Sequence, residues 1–125
     1  MILVVEDFWA MGRCIRAMLE AGGHEVTLVA SGEDALAFLA RRRPALVVLD
    51  VSLPGISGLD VLRHIRADPH LRDVPVIVDT TSADPKVHAV VARAGARLVG
   101  KHTDEFVHLS AIVADRLAPA PGGKL

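Results

Sequence analysis

The sequence predicts an α/β domain built on a parallel sheet with helices on both faces. Three observations predict it. Short runs rich in Val, Ile and Leu recur five times along the chain, each is followed by residues at helical spacing, and turn residues or acids bound four of the five. Strand and helix in alternation imply parallel pairing through right-handed crossovers, so that helices cover both sides of the sheet. Strands buried on both faces read as continuous apolar runs, which an apolar fraction of 51% can supply.

The predicted strands are Ile2–Val5, Val26–Val29, Ala45–Leu49, Val74–Val78 and, more weakly, Arg97–Val99. After the first comes a helix whose stripe is Phe8, Met11, Ile15, Met18 and Leu19, stopped by Gly22 and Gly23. The second helix opens with Ser31 and Asp34 in capping-box spacing, carries Leu36 and Leu39, and ends before Pro44. Ser57 and Asp60 open the third in the same way, with Leu59, Leu62 and Ile65 facing inward. Asp84-Pro85 starts the fourth, because Pro suits a first helical turn; its stripe is Val87, Val90, Val91 and Ala94, and Gly95 is a natural C′ residue. The fifth begins near Thr103 and uses Phe106, Leu109, Val113 and Leu117, with Asp104 and Glu105 favourable at its N-terminus. The tail from Ala118 to Leu125 is rich in Ala, Pro and Gly and reads as a flexible end or linker stub, leaving one domain over residues 1–117.

Composition narrows the function. The net charge of -1 offers no basic field for nucleic acid, and Arg41-Arg42-Arg43 sits at a predicted helix end, where cations suit the dipole. One cysteine, Cys14, excludes an internal disulfide and fits a reducing compartment; it reads as a small core or boundary residue of the first helix. No apolar run approaches a membrane span, and the start "MILVVED" lacks the pattern of a secretory signal. The expected location is cytoplasmic. The six histidines show no metal-ligand spacing.

In doubly wound sheets, ligands bind beyond the carboxyl ends of the strands. Those ends carry Glu6-Asp7, Asp50, Thr80-Thr81 and Lys101. Singly, each has an ordinary explanation as a cap, a loop hydrogen-bonder or a surface lysine. Together they converge on one chemistry. Clustered carboxylates repel unless a cation sits among them, hard oxygens suit Mg²⁺ shared with a phosphate, and a hydroxyl and an ammonium opposite can take the remaining phosphoryl oxygens. Asp50 would be the nucleophile.

These residues resemble the receiver domain of bacterial two-component response regulators. "VVED" is similar to that family's acidic pair, "VVLDVSLPGISG" to the segment around its phosphoacceptor, "PVIVDTT" to the strand ending in its switch hydroxyl, "ARAGA" to its fourth helix end, and "GKHTDEF" to the region of its lysine. The resemblance runs from Ile2 to about Leu117. It implies a flavodoxin-like fold with strand order 2-1-3-4-5. It also implies Mg²⁺ as cofactor, with Asp7 as direct ligand, Glu6 acting through water, Asp50 shared with the phosphoryl group, and the Ser52 carbonyl completing the set. Asp50 would be phosphorylated, Thr80 would be the switch and Lys101 would contact the phosphoryl group. The implied partners are a sensor histidine kinase or histidine phosphotransfer protein, and a downstream output protein or a missing effector domain. The domain would assist its own modification without being an enzyme on an external metabolite.

The chain departs from the family pattern in three places. Counting from Gly95 without a gap puts His102 at the lysine position; a one-residue deletion in the short fifth strand puts Lys101 there, and that is the alignment adopted. The family often has a cis Pro after this lysine, where His102 stands here. A cis bond to a non-proline residue costs about 3–4 kcal/mol, so a trans bond, a rebuilt loop and a Lys101 that reaches less well are expected. The fifth strand offers Leu98 and Val99 where the family often has Tyr or Phe, so any switch must act through the fourth helix and its loop, or another surface. Asp79 lies inside an apolar strand and needs water, a proton or a partner; a wet strand end and a neighbouring hydroxyl, histidine or arginine both stay open. Trp9 reads equally as a lid near the metal or an exposed contact.

An alternative reading is a pseudo-receiver, a phosphorylation-independent interaction module; intact Glu6, Asp7, Asp50 and Thr80 argue against it. A phosphohydrolase of the haloacid dehalogenase type needs a second acid two residues after its nucleophile, where Ser52 stands. Dinucleotide binding is disfavoured because no G-x-G-x-x-G follows the first strand.

Overall fold

Five strands pair into one sheet: β1 (Ile2–Val5), β2 (Val26–Val29), β3 (Leu46–Asp50), β4 (Val76–Thr80) and β5 (Arg97–Gly100), in the order β2-β1-β3-β4-β5. Every pairing is parallel. The computed structural model describes residues 1–101 and 103–118; most of the tail expected to be flexible, 119–125, lies outside them. The helices are α1 (Trp9–Ala21), α2 (Gly32–Leu39), α3 (Gly58–Ala67), α4 (Pro85–Arg93), α5 (Asp104–Val107) and α6 (Leu109–Leu117). No helix among the described residues is long and apolar enough to cross a membrane.

Strand alternation divides the core into two layers. Leu3, Val5, Val47, Leu49, Val76 and Val78 point to one face, packed against Ala35 and Leu39 of α2, Val61, Leu62 and Ile65 of α3, and Val91 of α4. Ile2, Val4, Leu46, Val48, Ile77 and Val99 point to the other, against Ile15 and Leu19 of α1 and Leu109 and Val113 of α6. Burying each such side chain stabilises the fold by about 1.5–3 kcal/mol, which explains why the sheet's interior tolerates polar residues only at its ends.

Local signals set the helix boundaries. The Ser31 hydroxyl accepts from the Asp34 amide at 3.0 Å. Ser57 and Asp60 form a reciprocal capping box at the start of α3. Gly95, just past α4, takes φ +66, the left-handed conformation that suits glycine after a helix. Arg66 of α3 bolts the far end of α4 in place: its Nε donates to the Ala94 carbonyl at 2.6 Å and its NH1 to Val74 at 2.7 Å.

Several expectations need correction. β3 and β4 run on through Asp50 and Thr80, because these polar residues still pair in register, Asp50 with Asp79 and Thr80 with Gly100. The helix expected from Thr103 to Leu117 breaks at His108 (φ -99, ψ 16) into α5 and α6; its apolar stripe bridges the break, so periodicity alone does not reveal it. Phe8, expected on the inner stripe of α1, precedes the helix and is 59% exposed. Cys14 is exposed rather than packed. α2 ends at Leu39, so the three arginines follow the helix instead of forming its last turn.

Candidate functional site

The alternation that builds the core also builds the site. Continuing each strand by one step on the α1/α6 face, Ile2 and Val4 lead to Glu6, Leu46 and Val48 to Asp50, Ile77 to Asp79, and Val99 to Lys101. Glu6, Asp50 and Asp79 are all nearly fully buried. Asp7, next along from Glu6, is exposed. Glu6, Asp7 and Asp50 can each turn one carboxylate oxygen to within 4.8 Å of the others.

Lys101 sits among the acids. Its Nζ donates to Glu6 Oε1 at 2.7 Å and lies 3.4 Å from Asp50 Oδ1 and 3.7 Å from Asp79 Oδ2. The structure therefore differs from the expectation of a poorly reaching lysine. The reason is backbone pairing: β5 continues to Gly100, and the Lys101 amide donates to the Thr80 carbonyl at 2.8 Å, which keeps residue 101 against β4. His102, the rival candidate, and the 101–102 bond lie outside the described residues.

The remaining contacts fix orientation. Glu6 Oε2 accepts from the Phe8 amide at 3.3 Å, and Asp50 Oδ1 from the Ser52 amide at 3.1 Å. Thr80 is buried while Thr81 is exposed, in keeping with the choice of Thr80. The Thr80 hydroxyl oxygen accepts from the Ser82 amide at 2.9 Å. Two more such bonds, Asp84 amide to Ser82 Oγ at 3.1 Å and Lys86 amide to Asp84 Oδ1 at 2.9 Å, string Thr80 to the first turn of α4. Gly58 explains the spacing of the loop after Asp50: its amide donates to the Val51 carbonyl at 2.9 Å, and any Cβ there would collide with the Asp50 carbonyl. Trp9 is 66% exposed, with the Arg13 guanidinium 5.6 Å from its ring centroid, so it is no packed lid.

Electrostatics follow from crowding. Burial, then the Glu6 carboxylate, pushes the Asp50 carboxyl up to about 7, against the lowering pull of Lys101. Burial raises Asp79 to about 6, with Lys101 opposing and Glu6 assisting. For Lys101 burial disfavours the charge, but the Glu6 hydrogen bond and the charges of Asp79 and Asp50 outweigh it and raise the ammonium's pKa. The cluster is short of positive charge, and its hard oxygens fit a divalent cation such as Mg²⁺. The sequence reading did not anticipate that Glu6 and Asp79 would both engage Lys101. Strand parity, counted from the apolar runs, is the signal that finds it.

Fold and site together define a doubly wound α/β protein that gathers carboxylates and one ammonium at the carboxyl edge of its sheet. The chain belongs to the receiver-domain family of two-component response regulators: the family model described as "Response regulator receiver domain" matches residues 2–106. It is 43% identical over 83 residues to the transcriptional regulatory protein AfsQ1 of Streptomyces coelicolor, covering 66% of this chain and 36% of that one. Against the polar-differentiation response regulator DivK of Brucella anthropi it is 35% identical over 82 residues, covering 66% of this chain and 67% of DivK. The chain thus spans well under half of AfsQ1. Among solved structures, the receiver domain of a signal transduction histidine kinase from Syntrophus aciditrophicus superposes with a TM-score of 0.85 at 30% identity, over 99% of this chain and 92% of that one. The receiver domain of a Pseudomonas aeruginosa sensor histidine kinase, solved with magnesium coordinated in its active-site cleft, gives 0.82 at 32% identity, over 93% and 95%.

Proposed function

We propose that this receiver accepts a phosphoryl group on Asp50 from a phosphohistidine of a sensor kinase or phosphotransfer protein, and passes the signal on through Thr80. The observation that carries the reading is the convergence of Glu6, Asp7 and Asp50 within 4.8 Å with the Lys101 ammonium 3.4 Å from Asp50. Asp7, Asp50 and the Ser52 carbonyl would hold Mg²⁺, with Glu6, already engaged by Lys101 and the Phe8 amide, acting through water. The cation supplies positive charge opposite the phosphoryl oxygens when bound. An Asp50 carboxylate oxygen attacks phosphorus in line; the O–P bond forms as the N–P bond breaks, and imidazole leaves with the electron pair. Lys101 donates to one phosphoryl oxygen. The Thr80 hydroxyl, whose oxygen already accepts from Ser82, still has its own proton to donate to another. Water later cleaves the acyl phosphate. The domain promotes its own modification and turns over no external metabolite. The reading carries with it a cytoplasmic location, and an output carried by a separate protein or by an effector domain in the same polypeptide.

The test is a titration with Mg²⁺ and beryllofluoride, a phosphoryl mimic, followed by Trp9 fluorescence and by the NMR spectrum of residues 50–58 and 80–88. Saturable binding that Asp50→Asn abolishes is expected. No binding at high Mg²⁺ would overturn the reading in favour of a phosphorylation-independent module.

A further inference from the structure

Asp79 is buried without the bonds that normally accompany a buried carboxylate. It is 1% exposed, and neither of its oxygens has a hydrogen-bond partner among the described residues. Its neighbours on the same face, Ile77 and Val99, belong to the buried apolar layer against α1 and α6. A valine or isoleucine at 79 would extend that layer. A carboxylate there carries a desolvation cost that only a nearby cation offsets. Among the described residues the one cation within ion-pair distance is Lys101, at 3.7 Å, too long for a hydrogen bond.

Position settles what this pairing does. Asp50 and Asp79 are directly opposite in adjacent strands, and Asp79 is opposite Val99, two residues before Lys101. Lys101 thus leaves the end of β5 two residues past the position opposite Asp79, and its ammonium reaches across β4 to within ion-pair distance of Asp79, Asp50 and Glu6. Its ammonium stands nearest Glu6, at 2.7 Å, with Asp50 and Asp79 almost equidistant at 3.4 and 3.7 Å. A charge shared among three acids is less available to any one of them.

The geometry points to Asp79 as a positioning residue for Lys101, one that holds the lysine back from Asp50 and biases the domain toward its unphosphorylated form. The inference rests on the phosphoacceptor reading above. Asp79 touches neither the incoming phosphoryl group nor its donor; it acts through the lysine. When Asp50 gains a phosphoryl group, Lys101 has to give up part of its attraction to Asp79 in order to follow. The isosteric Asp79→Asn keeps the shape and removes that pull.

Two measurements test this. In the full chain with Mg²⁺ and beryllofluoride, Asp79→Asn is expected to bind the mimic about tenfold more tightly than the wild type. In a Lys101→Met background the same substitution should change affinity less than about twofold, because the intermediary is gone. Equal tightening in both backgrounds would make Asp79 a direct repulsive charge, and unchanged or weaker binding in Asp79→Asn would remove any bias; either result overturns the inference. Independently of the mimic, a crystal structure of Asp79→Asn should place Lys101 Nζ nearer to Asp50 Oδ1 than the 3.4 Å of the wild type. An unmoved ammonium would show that Asp79 does not hold the lysine. If neither protein binds beryllofluoride, the phosphoacceptor reading falls, and the position of the Lys101 ammonium in that structure then decides whether the tether exists.

Discussion

Stability should fall, not rise, as this protein is taken from mildly acidic to mildly alkaline pH, because Asp50 and Asp79 both ionise late, and Asp79→Asn should remove its own share of the fall. The carboxyl of Asp79 ionises near 6 in the folded chain against an ordinary value of 3.8, chiefly because it is buried. An acid whose pKa is raised by folding binds more protons folded than unfolded between those two values. Its contribution is therefore intact below 3.8 and is lost as pH climbs through about 6. Once both states are ionised, the burial costs about 3 kcal/mol. Asparagine has no charge to desolvate, so the variant should be about 3 kcal/mol more stable than wild type at about pH 8 and nearly equal to it at about pH 4. Urea denaturation in magnesium-free buffer reads this directly. With a slope of about 1–3 kcal/mol per molar, the midpoint should rise by at least about 1 M at the higher pH. A variant less stable at the higher pH would refute the reasoning, because it would mean that the pair with Lys101 outweighs desolvation. A gain of equal size at both pH values would refute it too, by showing that charge is not the cause.

Two further outcomes follow from the site and its loop. Mg²⁺ at ten times its Kd should stabilise the domain by about 1.4 kcal/mol, with Asp7→Asn losing the effect; because Asp50 binds a proton up to about pH 7, the affinity should improve as pH rises through that value, and calorimetric titration at two pH values checks both points. Gly58→Ala should destabilise by about 1–3 kcal/mol through collision with the Asp50 carbonyl, read as a lower urea midpoint, together with a shifted Asp50 amide resonance.

Much of this could be read from residue order, and the reasons are physical. The runs at Ile2–Val5 and Val26–Val29 match the strands in full, because continuous Val, Ile and Leu leave the chain little alternative. Ser57 and Asp60 marked the start of α3 because a capping box is a local bond between near neighbours. What escaped the reading depends on contacts distant in sequence. Hydropathy stops a strand at its first acid, whereas Asp50 and Asp79 stay paired through their backbones, which are indifferent to side-chain charge. Phe8 fits the helical stripe by spacing and Cys14 reads as a small core or boundary residue, yet both are exposed, because the helix begins at Trp9 and its inner line is Gly12, Ile15 and Leu19. Residue order leaves Asp79 either a wet strand end or a hydroxyl, histidine or arginine partner; the group beside it is Lys101, 22 positions on, brought alongside by a crossover through α4.

The guanidinium of Arg66 has a mechanical consequence. It grips the carboxyl end of α4 through Ala94, while the opposite end is tied by three short bonds to the Thr80 hydroxyl. A rod clamped at one end and tugged at the other pivots. A movement that began at Thr80 would reach the surface as a tilt about a fulcrum at Ala94, with the widest sweep at Pro85 and Lys86 and almost none at Arg93.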